Sequence, residues 1–473
     1  MQRSWIRLYA DLAWRWWMPS RVSIYLAFRA GLVLSVTSQP LARWICWINP
    51  WANFSKAAAH GLIGENAVAL SHWRVFEQNG LAGYLRERFV RYLGRHNPQL
   101  ALHVLQGHVK HQRLAEQIVA LSTTRTAQED RSGEFRLRLT DTQLFKVNEL
   151  ISPKKGGLVE RSDCSPFGFH FKAEKKSSSR PGGSSQEPLV SIILTVFNGE
   201  LLLKSSVESL LGQTHGRLEV WLVDDASTDQ TWAVIQELCA QDSRLRAIRL
   251  RKNIGTYAAK SLVLPSISGE YVTCHDADDL ASPYWIETQL TPMLRDPECV
   301  ASVSRWFRID STGAVVPGSS RDVWPVLSLN QTSLLMRRRV LDSIGGWDIA
   351  RVSGDVEIFE RIRTIHGVQA VRVIDQALVV GLHIPTSLMN DATVGLASGD
   401  QRQLARHLQY REAWVEWQAS CLRAGELPRM PDISSRVRPF VSPKAFEVAH
   451  EDVLEAIACV EQQVMAHDES ARH

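Results

Sequence analysis

Apolar and polar positions follow different periods in different parts of the chain. Residues 1–125 carry apolar side chains at helical spacing, most regularly from Trp73 to Leu105, which predicts a mainly helical region. Residues 126–171 are less regular. Phe135-Arg-Leu-Arg-Leu alternates as a strand does and Lys154-Lys-Gly-Gly has turn character, so a small β element is expected there. Residues 172–188 are crowded with Ser, Gly, Pro and Lys and hold a single apolar residue, Ala173. That composition cannot bury enough surface to order itself, and predicts an exposed, flexible linker.

From Leu189 the pattern changes to alternating strands and helices. Leu189-Val-Ser-Ile-Ile-Leu-Thr-Val is a continuous apolar run, as expected of a strand covered on both faces. Leucines at helical spacing follow from Leu201 to Leu211, ending at Gly212. Leu218-Glu-Val-Trp-Leu-Val is a second buried strand, Asp229 to Ala240 a helix, Arg246-Ala-Ile-Arg-Leu a third strand, and a further helix starts near Tyr257. Glu270-Tyr-Val-Thr-Cys-His is a fourth strand. Such an order requires right-handed crossovers and a mostly parallel sheet, an α/β domain spanning residues 189–400. Residues 401–473 read as a helical tail.

Composition narrows the classes. The chain has 473 residues, 45% hydrophobic and 22% charged, the make-up of a folded globular protein. With 54 Lys plus Arg against 50 Asp plus Glu the net charge is +4, too small to indicate a nucleic-acid partner. Seven cysteines without CxxC or zinc spacing argue against a disulfide framework and suit a reducing compartment. The charge is uneven: residues 1–50 hold six Arg against Asp11, and eight of the sixteen Trp fall in the first hundred residues. The most apolar run, Val22 to Val36, is broken by Arg29 and is too short to span a bilayer. Arg mixed with Trp and Leu suits a helix lying in a membrane surface, so residues 1–60 are a membrane-surface candidate. A helical domain burying its own tryptophans is the alternative.

Chemistry concentrates where the strands end. In parallel sheets ligands bind beyond the carboxyl ends of the strands, where Asp224-Asp225 and Asp276-Ala-Asp278-Asp279 are expected. Asp276 and Asp278 are two apart and point to one side. A pair of facing carboxylates calls for a cation, and hard oxygen ligands suit Mn²⁺ or Mg²⁺ bridging to a diphosphate. A capped turn is the bland reading of the same residues.

Pro188 to about Arg363 resembles a family 2 glycosyltransferase of GT-A fold, a Rossmann-like α/β sheet. The matching pieces run in the family's order. They are Val190-Ser-Ile-Ile-Leu-Thr-Val-Phe-Asn198, Ser209-Leu-Leu-Gly-Gln-Thr214, Val223-Asp-Asp-Ala-Ser-Thr-Asp229 and Asn253-Ile-Gly255. Gly269-Glu-Tyr-Val-Thr-Cys-His-Asp-Ala-Asp-Asp279, Gly345-Gly-Trp-Asp348 and Gly354-Asp-Val-Glu-Ile-Phe-Glu-Arg361 follow. The resemblance implies that Thr195, Phe197 and Asn253 line a donor pocket. Asp225 would accept from the base N–H, which favours uridine-type donors. Asp278 would ligate the metal with help from Asp276, which also borders the donor. Asp355 would be the catalytic base, with Glu357 as the second candidate. Trp347 and Asp348 would face the acceptor, although Trp347 also reads as a core residue. Lys260 stands where the family has Arg and is a candidate phosphate contact, and His383 reads as a loop histidine.

The family usually places Glu before the base, where this chain has Gly354, and Tyr where it has Phe197. Processive members carry QxxRW and spanning helices; Gln39 to Trp44 is one residue too long and lies in the wrong half. The resemblance therefore implies an inverting, metal-dependent transferase adding a single sugar from a nucleotide-sugar, a UDP-sugar by preference. Its acceptor would be a glycan or lipid-linked molecule in cell-surface polysaccharide synthesis. The protein is expected in the cytoplasm, peripherally on the inner face of the membrane. The competing expectation is an inactive GT-A scaffold that binds a membrane or partner.

Overall fold

The computed structural model describes residues 139–151, 159–162, 165–172, 187–310, 313–316, 327–383, 387–391, 393–395, 401–435 and 437–470. The expectations for residues 1–125, including the membrane-surface reading, and for most of the 172–188 linker lie outside them. The chain divides into two compact units, residues 1–126 with 317–328 and residues 127–316 with 329–473. The second unit contains the α/β domain. No helix among the described residues is long and apolar enough to cross a membrane.

Ahead of the sheet, α1 (Asp141–Ile151) precedes a hairpin of β1 (Val159–Arg161) and β2 (Phe169–Phe171). Residues 135–138 of the alternating run lie outside the described residues, and the hairpin observed here is a separate pair of short strands. The helix was not expected, although its signal is in the sequence. Thr140 and Gln143 form a reciprocal capping box, Gln143 N–H donating to Thr140 Oγ1 (3.3 Å) and Thr140 N–H to Gln143 Oε1 (2.8 Å). Asn148 then holds the hairpin, accepting from Val159 N–H at 2.9 Å.

The main sheet is built from β3 (Val190–Val196), β4 (Leu218–Asp224), β5 (Leu245–Arg249), β6 (Tyr271–Asp276), β7 (Asp279–Ala281), β8 (Ala301–Asp310), β9 (Leu335–Arg337) and β10 (Val371–His383). Their spatial order is β5-β4-β3-β6-β9-β8-β10-β7. β5, β4, β3 and β6 are mutually parallel, β9 runs antiparallel to β6 and β8, and β10 lies parallel to β8. This is the mostly parallel α/β sheet that the strand–helix alternation predicts.

Every residue of β3 is buried, because helices cover both faces. Its alternation divides the chain between two cores. Val190, Ile192, Leu194 and Val196 face α2 (Leu203–Leu211), α3 (Thr231–Gln241) and α5 (Trp285–Arg295). Ile193 faces the opposite core with α4 (Thr256–Leu262), α6 (Arg338–Ile344) and α7 (Gly354–His366). A period of two with no polar side is what a doubly covered strand requires.

The C-terminal residues pack onto this framework. Tyr410 and Trp414 of α8 (Gln401–Arg423) join Phe440, Phe446, Ala350 and Val352 in a third apolar cluster. α9 (His450–Ser470) covers the sheet edge. There Gln463 accepts from Arg249 N–H (3.0 Å) and donates to Arg249 C=O (2.8 Å), occupying the pairing groups of β5 as another strand would.

Candidate active site

Two strand ends place the first acidic residues. β3 and β4 stop at Val196 and Asp224, and each is followed by a residue forced into left-handed backbone, Asn198 (φ 53°) and Ala226 (φ 65°). Such conformations in non-glycine residues persist where surrounding contacts over-determine them. Asp224, fully buried, accepts from Ser227 N–H (2.9 Å) and pairs with Arg249 at 3.3 Å, so it caps its own turn.

Asp225 does something else. Its two carboxylate oxygens accept the N–H groups of Ile254 and Gly255, each at 2.8 Å. Burial nevertheless pushes its carboxyl up to about 6, the two amide bonds pulling the other way. The residue therefore ties the end of β4 to the Asn253-Ile-Gly turn that launches α4. Asn253 completes the tie by donating to Asp225 C=O at 3.2 Å. Thr195, at the end of β3, meets Thr256 at the start of α4 through a 2.6 Å hydroxyl contact. Phe197, two residues beyond Thr195, stands 51% exposed. Thr195, Asp225 and Asn253 thus converge on the amino end of one short helix.

The next turn of α4 carries the rest. Lys260, buried among the core side chains, has its ammonium 3.7 Å from Asp276 Oδ1 at the end of β6. Burial opposes the Lys260 charge. Asp276, Cys274 and Asp355 together outweigh it and raise the ammonium above its ordinary range. Asp278, across the β6–β7 turn, has its carboxyl pushed up to about 7, first by burial and then by the Asp276 charge, with Arg308 in partial opposition. Asp279 is held well above the carboxylate range by burial and by its two acidic neighbours. His275, buried against Trp285, is pushed down to about 4 by burial, so it is a neutral imidazole.

Asp355 opens α7, shortly after Ser353 in left-handed backbone (φ 63°). Its Oδ1 accepts from Tyr257 Oη at 2.8 Å and from Val356 N–H at 2.9 Å, and Oδ2 takes a long contact from Thr332 Oγ1 at 3.4 Å. Asp276 and Asp355 both bear on Tyr257 and on Lys260, so the end of β6 and the start of α7 share one electrostatic neighbourhood. Sequence reasoning did not single out Tyr257. The available signal was its spacing three residues before Lys260, which puts both on one helical face.

Three expectations are corrected. Trp347 is 4% exposed within the core and Asp348 is 1% exposed, bonded to Tyr410 Oη (2.7 Å) and to Arg438, so neither faces an acceptor. Glu357 is fully buried against Arg361 (3.0 Å) and Gln418 (3.0 Å), which removes it as an alternative base. His383, half-buried at the end of β10, lies opposite Asp310 in the β8 register.

Among the described residues no group of three or more His, Cys, Asp or Glu forms a complete metal cage. Asp276 and Asp278 offer the hard oxygen donors that a divalent ion takes. Burial and the Asp276 charge push the Asp278 carboxyl up, a cost that a cation between the carboxylates would relieve.

Residues 191–357 match the family model Glycosyl transferase family 2. Among curated relatives, an uncharacterized glycosyltransferase of Haemophilus influenzae is 34% identical over 140 residues, 29% of this chain and 43% of that protein. The Escherichia coli UDP-Glc:alpha-D-GlcNAc-diphosphoundecaprenol beta-1,3-glucosyltransferase WfaP is 35% identical over 103 residues, 22% of this chain and 39% of that enzyme. The chain spans less than half the length of these relatives. Among solved structures, Staphylococcus aureus TarS 1–349 in complex with UDP aligns with a TM-score of 0.34 at 18% identity, over 41% of this chain and 61% of that one. Residues 191–357 of this chain are a family 2 glycosyltransferase domain.

Proposed function

We propose that the domain transfers one sugar, with inversion, from a nucleotide-sugar to a hydroxyl of a glycan or lipid-linked acceptor. A UDP-sugar is the preferred donor. The observation that carries this reading is the meeting of Asp276, at the end of β6, and Asp355 on one short helix, α4, through Lys260 and Tyr257, with Asp278 two residues beyond Asp276. Thr195, Phe197, Asn253 and the turn fixed by Asp225 border the nucleoside. Asp276 and Asp278 would hold Mn²⁺ or Mg²⁺. When bound, that ion offsets the charge developing on the leaving diphosphate. Asp355 accepts the proton of the acceptor hydroxyl as it attacks the anomeric carbon from the face opposite the diphosphate. The WfaP enzyme's lipid-diphosphate acceptor supports a role in cell-surface polysaccharide synthesis. With residues 1–60 at a membrane surface, the protein would work peripherally on the inner face of the membrane.

The reading is tested by thermal shift with a panel of UDP-sugars, with and without Mn²⁺. A bound donor raises the melting temperature by mass action. A Mn²⁺-dependent shift that Asp278→Asn abolishes is expected. A metal-independent shift would remove the metal assignment, and no shift with any UDP-sugar would remove the uridine preference. Full transfer by Asp355→Asn would reassign the base.

A further inference from the structure

Tyr257 is 7% exposed, and its ring fills the space in front of residue 354. A Cβ placed on Gly354 would meet the ring at 2.7, 2.9 and 3.1 Å, so residue 354 is restricted to glycine by this tyrosine. The ring is thereby fixed, and its hydroxyl is aimed at Asp355 Oδ1 (2.8 Å). Val356 N–H occupies the same oxygen at 2.9 Å. The two oxygens of Asp355 are consequently unequal. Oδ1 has two close donors, whereas Oδ2 takes the 3.4 Å contact from Thr332.

We propose that Tyr257 is a positioning residue for Asp355: its hydroxyl anchors Oδ1, which orients the carboxylate so that Oδ2 is the oxygen that receives the acceptor's proton. The inference rests on Asp355 being the base. The proton passes from the acceptor hydroxyl to Oδ2 while the hydroxyl oxygen forms its bond to the anomeric carbon and the nucleoside diphosphate leaves with the bonding pair. Tyr257 keeps its own proton throughout. The charged groups that bear on this pair are Lys260, 5.2 Å from the Tyr257 ring centroid, and Asp276 at the end of β6.

Tyr257→Phe removes the hydroxyl and keeps the ring that packs on Gly354. Gly354→Ala keeps the hydroxyl and displaces the ring. Release of UDP from UDP-glucose with Mn²⁺ is the kinetic readout. The Asp355 carboxyl is followed independently by ¹³C NMR, its signal identified by its loss in Asp355→Asn. Tyr257→Phe should lower kcat about tenfold or more with KM for UDP-glucose little changed, as for loss of a hydrogen bond to a charged group. The Asp355 carboxyl signal should move at fixed pH, because Oδ1 loses its phenol donor. Gly354→Ala should reproduce these changes. An unmoved Asp355 carboxyl signal in Tyr257→Phe overturns the proposal, with or without turnover of UDP-glucose. Undiminished turnover in Asp355→Asn instead removes the base assignment, a failure distinguishable from the first.

Discussion

The Lys260 ammonium lies 3.7 Å from Asp276 Oδ1, on a side chain only 2% exposed. This lysine is a fixed positive charge beside a turn that holds three carboxyl groups, Asp276, Asp278 and Asp279. Without it, the repulsion that already lifts Asp278 would have no nearby compensation on this side. Removing one partner of a buried pair costs about 3–5 kcal/mol. Asp276 is about one-third exposed, so solvent screening reduces the expected cost to roughly 1–2 kcal/mol. Lys260→Met should therefore lower the melting temperature in metal-free buffer. Excess Mn²⁺ should recover part of the loss, because the ion replaces the missing charge. A loss that Mn²⁺ leaves untouched would show that Lys260 does not neutralise this turn.

Glu357 and Arg361 form an ion pair at 3.0 Å with both side chains fully buried. Gln418 from α8 also donates to the Glu357 carboxylate, which is satisfied without reaching the site. Glu357→Ala leaves the guanidinium buried without its anion and should cost about 3–5 kcal/mol in urea unfolding. Glu357→Gln should fold with a smaller loss and keep donor turnover within a few-fold of wild type. A variant that folds normally and loses all turnover would restore Glu357 as a catalytic candidate.

The strands of the domain were legible because burial on two faces leaves a continuous apolar record, and β3 to β6 fall within about a residue of their predicted bounds. The acidic residues at strand ends were legible for the same reason, since the end of a strand fixes the position of the turn beyond it. Side-chain direction was not. Trp347 and Asp348 sit in a stretch that the family resemblance assigns to the acceptor. The burial of Asp348 is decided by Tyr410 and Arg438, 62 and 90 residues later in the chain. Tyr257 escaped notice because its value depends on Gly354, a partner nearly a hundred residues away. In the sequence the missing side chain at 354 is a departure from the family pattern, and in the fold it is the room that the tyrosine ring needs.

Asp348 ties the C-terminal residues to the domain. Its carboxylate takes the Tyr410 hydroxyl at 2.7 Å and the Arg438 guanidinium, and burial raises it above its ordinary range despite both partners. Tyr410→Phe removes one hydrogen bond to a charged, buried acceptor and should destabilise the protein by about 1.5–3 kcal/mol. Arg438→Met removes the counter-charge and should cost more. If both variants unfold at the wild-type urea midpoint, the C-terminal residues do not depend on Asp348 for their docking.

His275 gives the pH dependence its clearest sign. Its Nε2 lies 3.1 Å from Asp279 C=O and its ring packs on Trp285, with burial pushing the imidazole from 6.5 down to about 4. A histidine with a lowered folded value binds fewer protons when folded than when unfolded between those limits. Its contribution is therefore fully present above pH 6.5 and is lost as pH falls toward 4. Asp225 acts in the opposite direction over part of the same range. Its raised folded value, about 6, means that the native state holds the proton longer, so stability falls as pH rises from about 4 to about 6. The two slopes partly cancel in the wild type, and His275→Gln should separate them. Relative to wild type, this variant should gain roughly 2–3 kcal/mol between pH 7.5 and pH 4.5, read from urea unfolding at each pH. A difference that stays constant across that interval would mean that His275 is solvated when protonated, and that the packing on Trp285 opens well before the domain unfolds.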